Sequence, residues 1–197
     1  CTEDDKLYIK KILDRPQFEI YKIIQDKDYD GVPKIKELFY TPENDKYILY
    51  EECVPGYTID ELFKKGTQFS KKFVIKMATA LCNILKPIHN DNLIHRDISP
   101  NNVMYSQIED KFYLIDFGNS RLNKINTPKD TVFAGTPIFM APEQGGVGTQ
   151  SDNRTDIYAI GMLMKFMLTK NTTDKKSKIR GRLGKIIKKC TQSEMAS

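Results

Sequence analysis

The chain has 197 residues, 40% of them hydrophobic and 29% charged, with a net charge of +5 at pH 7. That balance lets the chain bury a real core, so it need not be disordered. Its four cysteines, Cys1, Cys53, Cys82 and Cys190, form no Cys-x-x-Cys pair, which argues against a zinc site and a disulfide framework and fits a reducing, cytoplasmic setting.

In chain order, Leu7 to Ile12 reads as a strand, and Pro16, tolerated in a first turn, opens a helix through about Gln25. Strands are expected at Ile35 to Tyr40 and Lys46 to Glu51, joined by the turn-rich Pro42-Glu43-Asn44-Asp45. Pro55-Gly56 breaks the last of these and sets a hinge near Glu52 to Gly56. From Thr58 the period becomes helical, and Phe73, Met77, Leu81, Leu85 and Ile88 form an apolar stripe on a long helix capped by Ser70. The greasiest stretch, Ile157 to Leu168, is interrupted by Lys165 and too short to span a bilayer, so it reads as a buried helix. No signal-peptide pattern opens the chain. Nine Lys or Arg fall between Lys170 and Lys189 against one acid, Asp174, and read as a solvated basic loop and helix face, with no nucleic-acid partner expected.

The chemistry concentrates in His95-Arg96-Asp97-Ile98-Ser99-Pro100-Asn101-Asn102, then Asp116-Phe117-Gly118 fourteen residues after Asn102, then Ala141-Pro142-Glu143. Three segments in this order and spacing resemble the protein kinase superfamily. The resemblance covers nearly the whole chain and implies an α+β, bilobal fold. Residues 1–54 would be a partial small lobe built on an antiparallel sheet, and 55–197 a mainly helical large lobe. It is strongest for compact bacterial (Firmicutes-type) Ser/Thr kinases, by Tyr50 to Gly56 and Pro142 to Asp156. Against the family pattern the chain is expected to be cut at both ends, without a glycine-rich loop before Leu7 and without the last helices.

Phosphoryl transfer asks a protein mainly to align two oxygens and neutralise phosphate charge, so a base or orienter and metal ligands are the parts to seek. The resemblance implies that Asp97 accepts or orients the proton of a substrate hydroxyl. Asn102 and Asp116 would hold Mg²⁺, which prefers such hard oxygen donors. ATP is the implied cosubstrate and a protein Ser or Thr hydroxyl the acceptor. Glu51 would be the gatekeeper, and the backbone of Glu52 and Val54 would hold adenine. Thr136, in Gly135-Thr136-Pro137, would touch Asp97 and favour Ser/Thr over Tyr. Asp156 would be the buried acceptor for the catalytic-loop backbone, and His95 and Phe117 packing residues. Arg96 would pair with a phosphorylated activation segment, whose candidate phosphosites are Thr127 and Thr131.

In the small lobe, Leu7-Tyr8-Ile9-Lys10 resembles the strand ending in the phosphate-binding Lys, which makes Lys10 the first candidate. Lys11 takes the role if the register slips by one, a choice that turns Tyr8 away from adenine. Glu19 is the expected helix partner of that Lys, across a shorter connection than the family usually has. Ser99 stands two residues after Asp97, where Ser/Thr kinases usually place Lys, and lowered turnover is expected from it. Two other classes remain open: a catalytically silent kinase fold acting as a binding module, and a small-molecule phosphotransferase of the aminoglycoside type. The latter lacks the Gly135-Thr136-Pro137 and Ala141-Pro142-Glu143 ledge, and the former would be expected to have lost Asp97, Asn102 or Asp116.

Overall fold

A computed structural model describes residues 2–3, 6–123, 135–145, 151–169 and 179–192. The first sheet grows from runs of aromatic and branched residues that suit a pleated, half-buried surface. Strand β1 (Thr2–Glu3) pairs back on β2 (Lys6–Leu13). Asp14 then ends the extended run and starts helix α1 (Arg15–Lys27). Its carboxylate accepts the Gln17 N–H at 2.8 Å, while the Gln17 side chain accepts the Asp14 N–H at 3.0 Å, a reciprocal cap with Pro16 in the first turn. Strands β3 (Ile35–Thr41) and β4 (Lys46–Glu52) complete an antiparallel sheet of order β1-β2-β4-β3, covered on one side by α1 through Ile20, Tyr21 and Ile24. Apart from β1, which the sequence reading does not place, these elements fall where it expects them, extended by one or two residues.

After the hinge, β5 (Tyr57–Thr58) leads into α2 (Ile59–Lys64), capped by the Thr58 hydroxyl. Helix α3 (Lys71–Asn90) starts at Ser70, whose hydroxyl accepts the Phe73 N–H at 3.1 Å. It buries Val74, Met77, Leu81, Ile84, Leu85 and Ile88, a stripe at helical spacing in which each side chain contributes roughly 1.5–3 kcal/mol. Phe73 sits at the edge of that stripe, edge-on to Tyr105 and Phe112. Short strands follow: β6 (Leu93–Ile94), β7 (Val103–Ser106), β8 (Lys111–Leu114) and β9 (Arg121–Leu122). They pair as β5-β7-β8 and β6-β9. The first fixes the end of the loop from His95 to Asn102 through β7, and the second fixes its start through β6 and brings the chain beyond Gly118 back beside it.

Helix α4 (Asn153–Thr169) runs through the core with Ala159, Ile160, Leu163, Met164 and Met167 buried, and α5 (Gly181–Cys190) packs beside it. Among the described residues, no helix is long and apolar enough to cross a membrane. The result is the expected α+β, bilobal arrangement, with a sheet and one covering helix in one part and a mainly helical second part.

Candidate active site

The loop between β6 and β7 is held from below by a fully buried carboxylate. Asp156, near the start of α4, accepts the His95 N–H at 3.0 Å and the Arg96 N–H at 2.9 Å, and His89 Nε2 of α3 lies 2.7 Å from the same carboxylate. A buried carboxylate persists only with such partners. Arg96 takes a positive φ of 69° and its carbonyl accepts Gln144 Nε2 at 2.7 Å, while Gln144 Oε1 accepts the Ala141 N–H. The loop is thereby tied to the segment carrying Ala141-Pro142-Glu143, and Glu143 accepts the buried Thr155 hydroxyl at 3.0 Å.

His95 is buried and edge-on to Phe117, with ring centroids 4.7 Å apart. Its Nδ1 accepts the Asp97 N–H at 3.3 Å, so Nε2 carries the hydrogen facing the Ile115 carbonyl at 3.1 Å. Burial holds its pKa below the ordinary 6.5, and the imidazole is neutral. It fixes the loop's register against the strand leading to Asp116.

Both oxygens of Asp97 are engaged. Oδ1 accepts the Thr136 N–H at 2.8 Å and the Thr136 hydroxyl at 2.9 Å. Oδ2 accepts Asn102 Nδ2 at 3.0 Å and Asn119 Nδ2 at 3.1 Å. Asn102 also donates to the Asp97 carbonyl at 2.8 Å, so its amide nitrogen is turned toward Asp97 and its carbonyl oxygen is left as an acceptor. Asp116 stands in the left-handed region at φ 62°, half-exposed, with Oδ1 accepting the Gly118 N–H at 3.3 Å.

The sheet supplies a cation, one residue away from the first expectation. Leu13 is the core-facing residue of β2, and alternation puts Lys11 and Ile9 on its face and Lys10 on the other. Lys11 Nζ lies 2.7 Å from Glu51 Oε1 and 3.7 Å from Asp116 Oδ1, whereas Lys10 is exposed over the Tyr50 ring, 5.8 Å from its centroid. Burial opposes the charge on Lys11, but Tyr21, Glu51 and Asp116 together hold its pKa above the ordinary value. Burial likewise pushes Glu51 up, with Lys11 working against it.

Glu19 is also corrected. It lies on the solvent face of α1, 3.7 Å from Lys22, because Ile20, Tyr21 and Ile24 claim the buried face. Tyr21 takes the inward place, and its hydroxyl accepts the Phe117 N–H at 3.1 Å. Glu51, expected only as a gatekeeper, is the nearer of the two carboxylates that Lys11 meets, at 2.7 Å against 3.7 Å for Asp116. The Glu52 N–H donates to the Lys34 carbonyl, the Cys53 N–H donates to the Leu7 carbonyl at 3.0 Å, and Val54 is buried. Thr127 and Thr131 lie outside the described residues. Ser99 is fully buried, and its hydroxyl has no hydrogen-bond partner among the described residues.

Sequence reasoning missed Tyr21, Asn119 and Gln144. Asn119 carries a local signal, since it directly follows Asp116-Phe117-Gly118. Tyr21 and Gln144 carry none, because their partners, Phe117 and the Arg96 carbonyl, are 96 and 48 residues away.

Comparison with known proteins adds an independent line. The family described as protein kinase domain matches residues 8–196. The chain is 31% identical over 147 residues to serine/threonine-protein kinase C of Synechocystis sp., covering 71% of this chain and 27% of that protein. It is 32% identical over 154 residues to serine/threonine-protein kinase B of the same organism, covering 74% of this chain and 26% of that protein. It thus spans about a quarter of the length of these two relatives. Among solved structures, the PK-1 kinase of the Cydia pomonella granulovirus matches with a TM-score of 0.70 at 18% identity, covering 85% of this chain and 61% of that one.

Proposed function

The chain belongs to the protein kinase domain family, and from that premise we propose that it transfers the γ-phosphate of ATP to Ser or Thr hydroxyls of a protein substrate. The observation that carries the proposal is that Asn102 and Asn119 are bound to Asp97, Asn119 follows three residues after Asp116, and Lys11 lies 3.7 Å from Asp116. Those residues come from the large part, the loop after β8 and the sheet, and their types match what phosphoryl transfer needs.

Asp97 orients the acceptor. Its Oδ1 is committed to Thr136, so the substrate hydroxyl donates to Oδ2, on the side where the exposed Asn119 amide now sits. The hydroxyl oxygen forms its bond to the γ-phosphorus as the bond from that phosphorus to the ADP oxygen breaks, and the hydroxyl proton passes to Asp97. Lys11, in place of Lys10, meets the α- and β-phosphates, and the backbone of Glu52 and Val54 meets adenine. The carbonyl oxygen of Asn102 and the carboxylate of Asp116 are hard donors that fit magnesium and would hold it. When bound, magnesium neutralises phosphate charge. Thr136, fixed on Asp97, favours a Ser or Thr acceptor, and Arg96 is assigned to a phosphate on Thr127 or Thr131.

The test is Mg-ATP phosphotransfer to a generic Ser/Thr protein substrate, with Asp97→Asn and Asp116→Asn beside the wild type. Transfer abolished by either substitution is expected. Nucleotide binding without transfer would instead make the chain a binding module with a kinase fold. Transfer to aminoglycosides but not to protein would make it a small-molecule phosphotransferase.

A further inference from the structure

We propose that Glu51 is the positioning residue for Lys11, holding its ammonium in the cleft from within the sheet and without a carboxylate from helix α1. The inference rests on the assignment of Lys11 to the nucleotide phosphates made above.

The geometry follows from strand register. Ile9 stands opposite Glu51 and Lys11 opposite Leu49, so Lys11 and Glu51 are diagonal neighbours on one face of the β2–β4 pair. Their charged atoms meet at 2.7 Å, and Glu51 is only 4% exposed. A carboxylate so deeply buried requires hydrogen-bond or charge partners, of which Lys11 is the one in contact with Glu51, and a flexible lysine stem requires a fixed anchor if its charge is to wait at one place. Each need answers the other. Because both residues sit on hydrogen-bonded neighbouring strands, the pair is as rigid as the sheet.

Helix α1 has no access to this role. The residue it turns toward Lys11 is Tyr21, 2% exposed, with its ring centroid 5.9 Å from Nζ and its hydroxyl holding the Phe117 N–H. Glu19 lies two residues earlier, about 200° around the helix, facing solvent. Bringing it to Lys11 would expel Tyr21 from the core. The ties of α1 to the site are therefore neutral ones: Tyr21 to the Phe117 N–H, and Gln17 Nε2 to the Gly118 carbonyl at 3.4 Å. Displacement of α1 disturbs the Asp116 turn and leaves the Lys11–Glu51 pair intact.

Calorimetric titration with ATP and with adenosine tests this on the wild type, Glu51→Gln, Glu19→Gln, Lys11→Met and the double variant Lys11→Met/Glu51→Gln. Glu51→Gln is expected to weaken ATP about tenfold or more while adenosine stays within about twofold, since only the phosphates meet Lys11. Glu19→Gln is expected to change neither ligand, and the double variant to bind ATP no more weakly than Lys11→Met alone. Equal loss of both ligands in Glu51→Gln, an unchanged ATP affinity, a loss in the double variant that adds to that of Lys11→Met, or a tenfold loss in Glu19→Gln would each overturn the assignment. If Glu51→Gln does not fold, Glu51→Asp, which keeps the charge, is expected to retain ATP affinity within about threefold, and a loss equal to that of Lys11→Met overturns the assignment. A wild type that binds no ATP overturns the nucleotide reading itself and this inference with it, whereas the variant outcomes above overturn the role of Glu51 alone.

Discussion

Thr136 reaches Asp97 across 39 positions of sequence with two donors, its backbone N–H and its hydroxyl, both to the same oxygen. One oxygen of the carboxylate is thus fixed by Thr136, and the other is turned toward Asn102 and Asn119. The arrangement makes the orientation of Asp97 depend on how Thr136 is seated.

Thr136→Val keeps the shape and the N–H bond but deletes the hydroxyl. A hydrogen bond to a charged group contributes about 1.5–3 kcal/mol, so phosphotransfer should fall roughly ten- to a hundredfold. Thr136→Ser should stay within about threefold, and ATP affinity should not change in either variant. Steady-state kinetics resolve these outcomes, and undiminished turnover in Thr136→Val would show that the hydroxyl bond is not used.

Asp156→Ala strips the acceptor from the His95 and Arg96 N–H groups and from His89 at a site with no solvent access. Loss of one partner from a buried charged network costs about 3–5 kcal/mol, which urea denaturation should report as a large fall in midpoint. A cost below about 1 kcal/mol would mean that water replaces the carboxylate.

His95 supplies a pH dependence with a defined sign. Burial lowers its folded-state pKa below 6.5, and the opposing pull of Asp156 does not reverse this. The unfolded chain therefore takes up a proton as pH falls through 6.5 while the folded chain does not. Stability drops with a slope of at most about 1.4 kcal/mol per pH unit until the folded pKa is reached. Urea midpoints at pH 7.5, 6.5 and 5.5 should show this decline, and His95→Gln, whatever its absolute stability, should flatten it.

Two glycines with the same backbone angle should respond differently to Ala. Gly31 and Gly66 both have φ near +81°, but a Cβ at Gly31 would lie 2.6 Å from the Ile84 side chain, while Gly66 has open space. Gly66→Ala should cost about 1–2 kcal/mol from backbone strain alone. Gly31→Ala should cost about 1–3 kcal/mol more, because Ile84 must leave its place in the core. Thermal unfolding separates the two.

Much of the site was legible because its parts are local. Asp97 and Asn102 lie five residues apart on one loop, with Asp116 fourteen further on, and the resemblance carried by those short segments implied that they act together. The start of α3 was legible for the same reason, since Ser70 caps a residue three positions ahead; Asp14 and Thr58 cap at the same distance but were not read as caps in the sequence. The stripe on α3 needed only the helical period.

The choice between Lys10 and Lys11 was not local. Adjacent lysines satisfy either phase of a two-residue repeat, and the decision came from which phase puts Leu13 into the core and pairs Lys11 diagonally with Glu51. Glu19 was lost to helix phase, because burying Tyr21 turns position 19 outward. The sequence by itself determined the three longer strands of the first sheet, the helices with their apolar stripes, the Ser70 cap and the order of the motif segments, all of which depend on patterns a few residues long. Only the tertiary structure decided which lysine meets Asp116, which carboxylate meets that lysine and that Asn119 also holds Asp97, because those contacts join strands and loops far apart in the sequence.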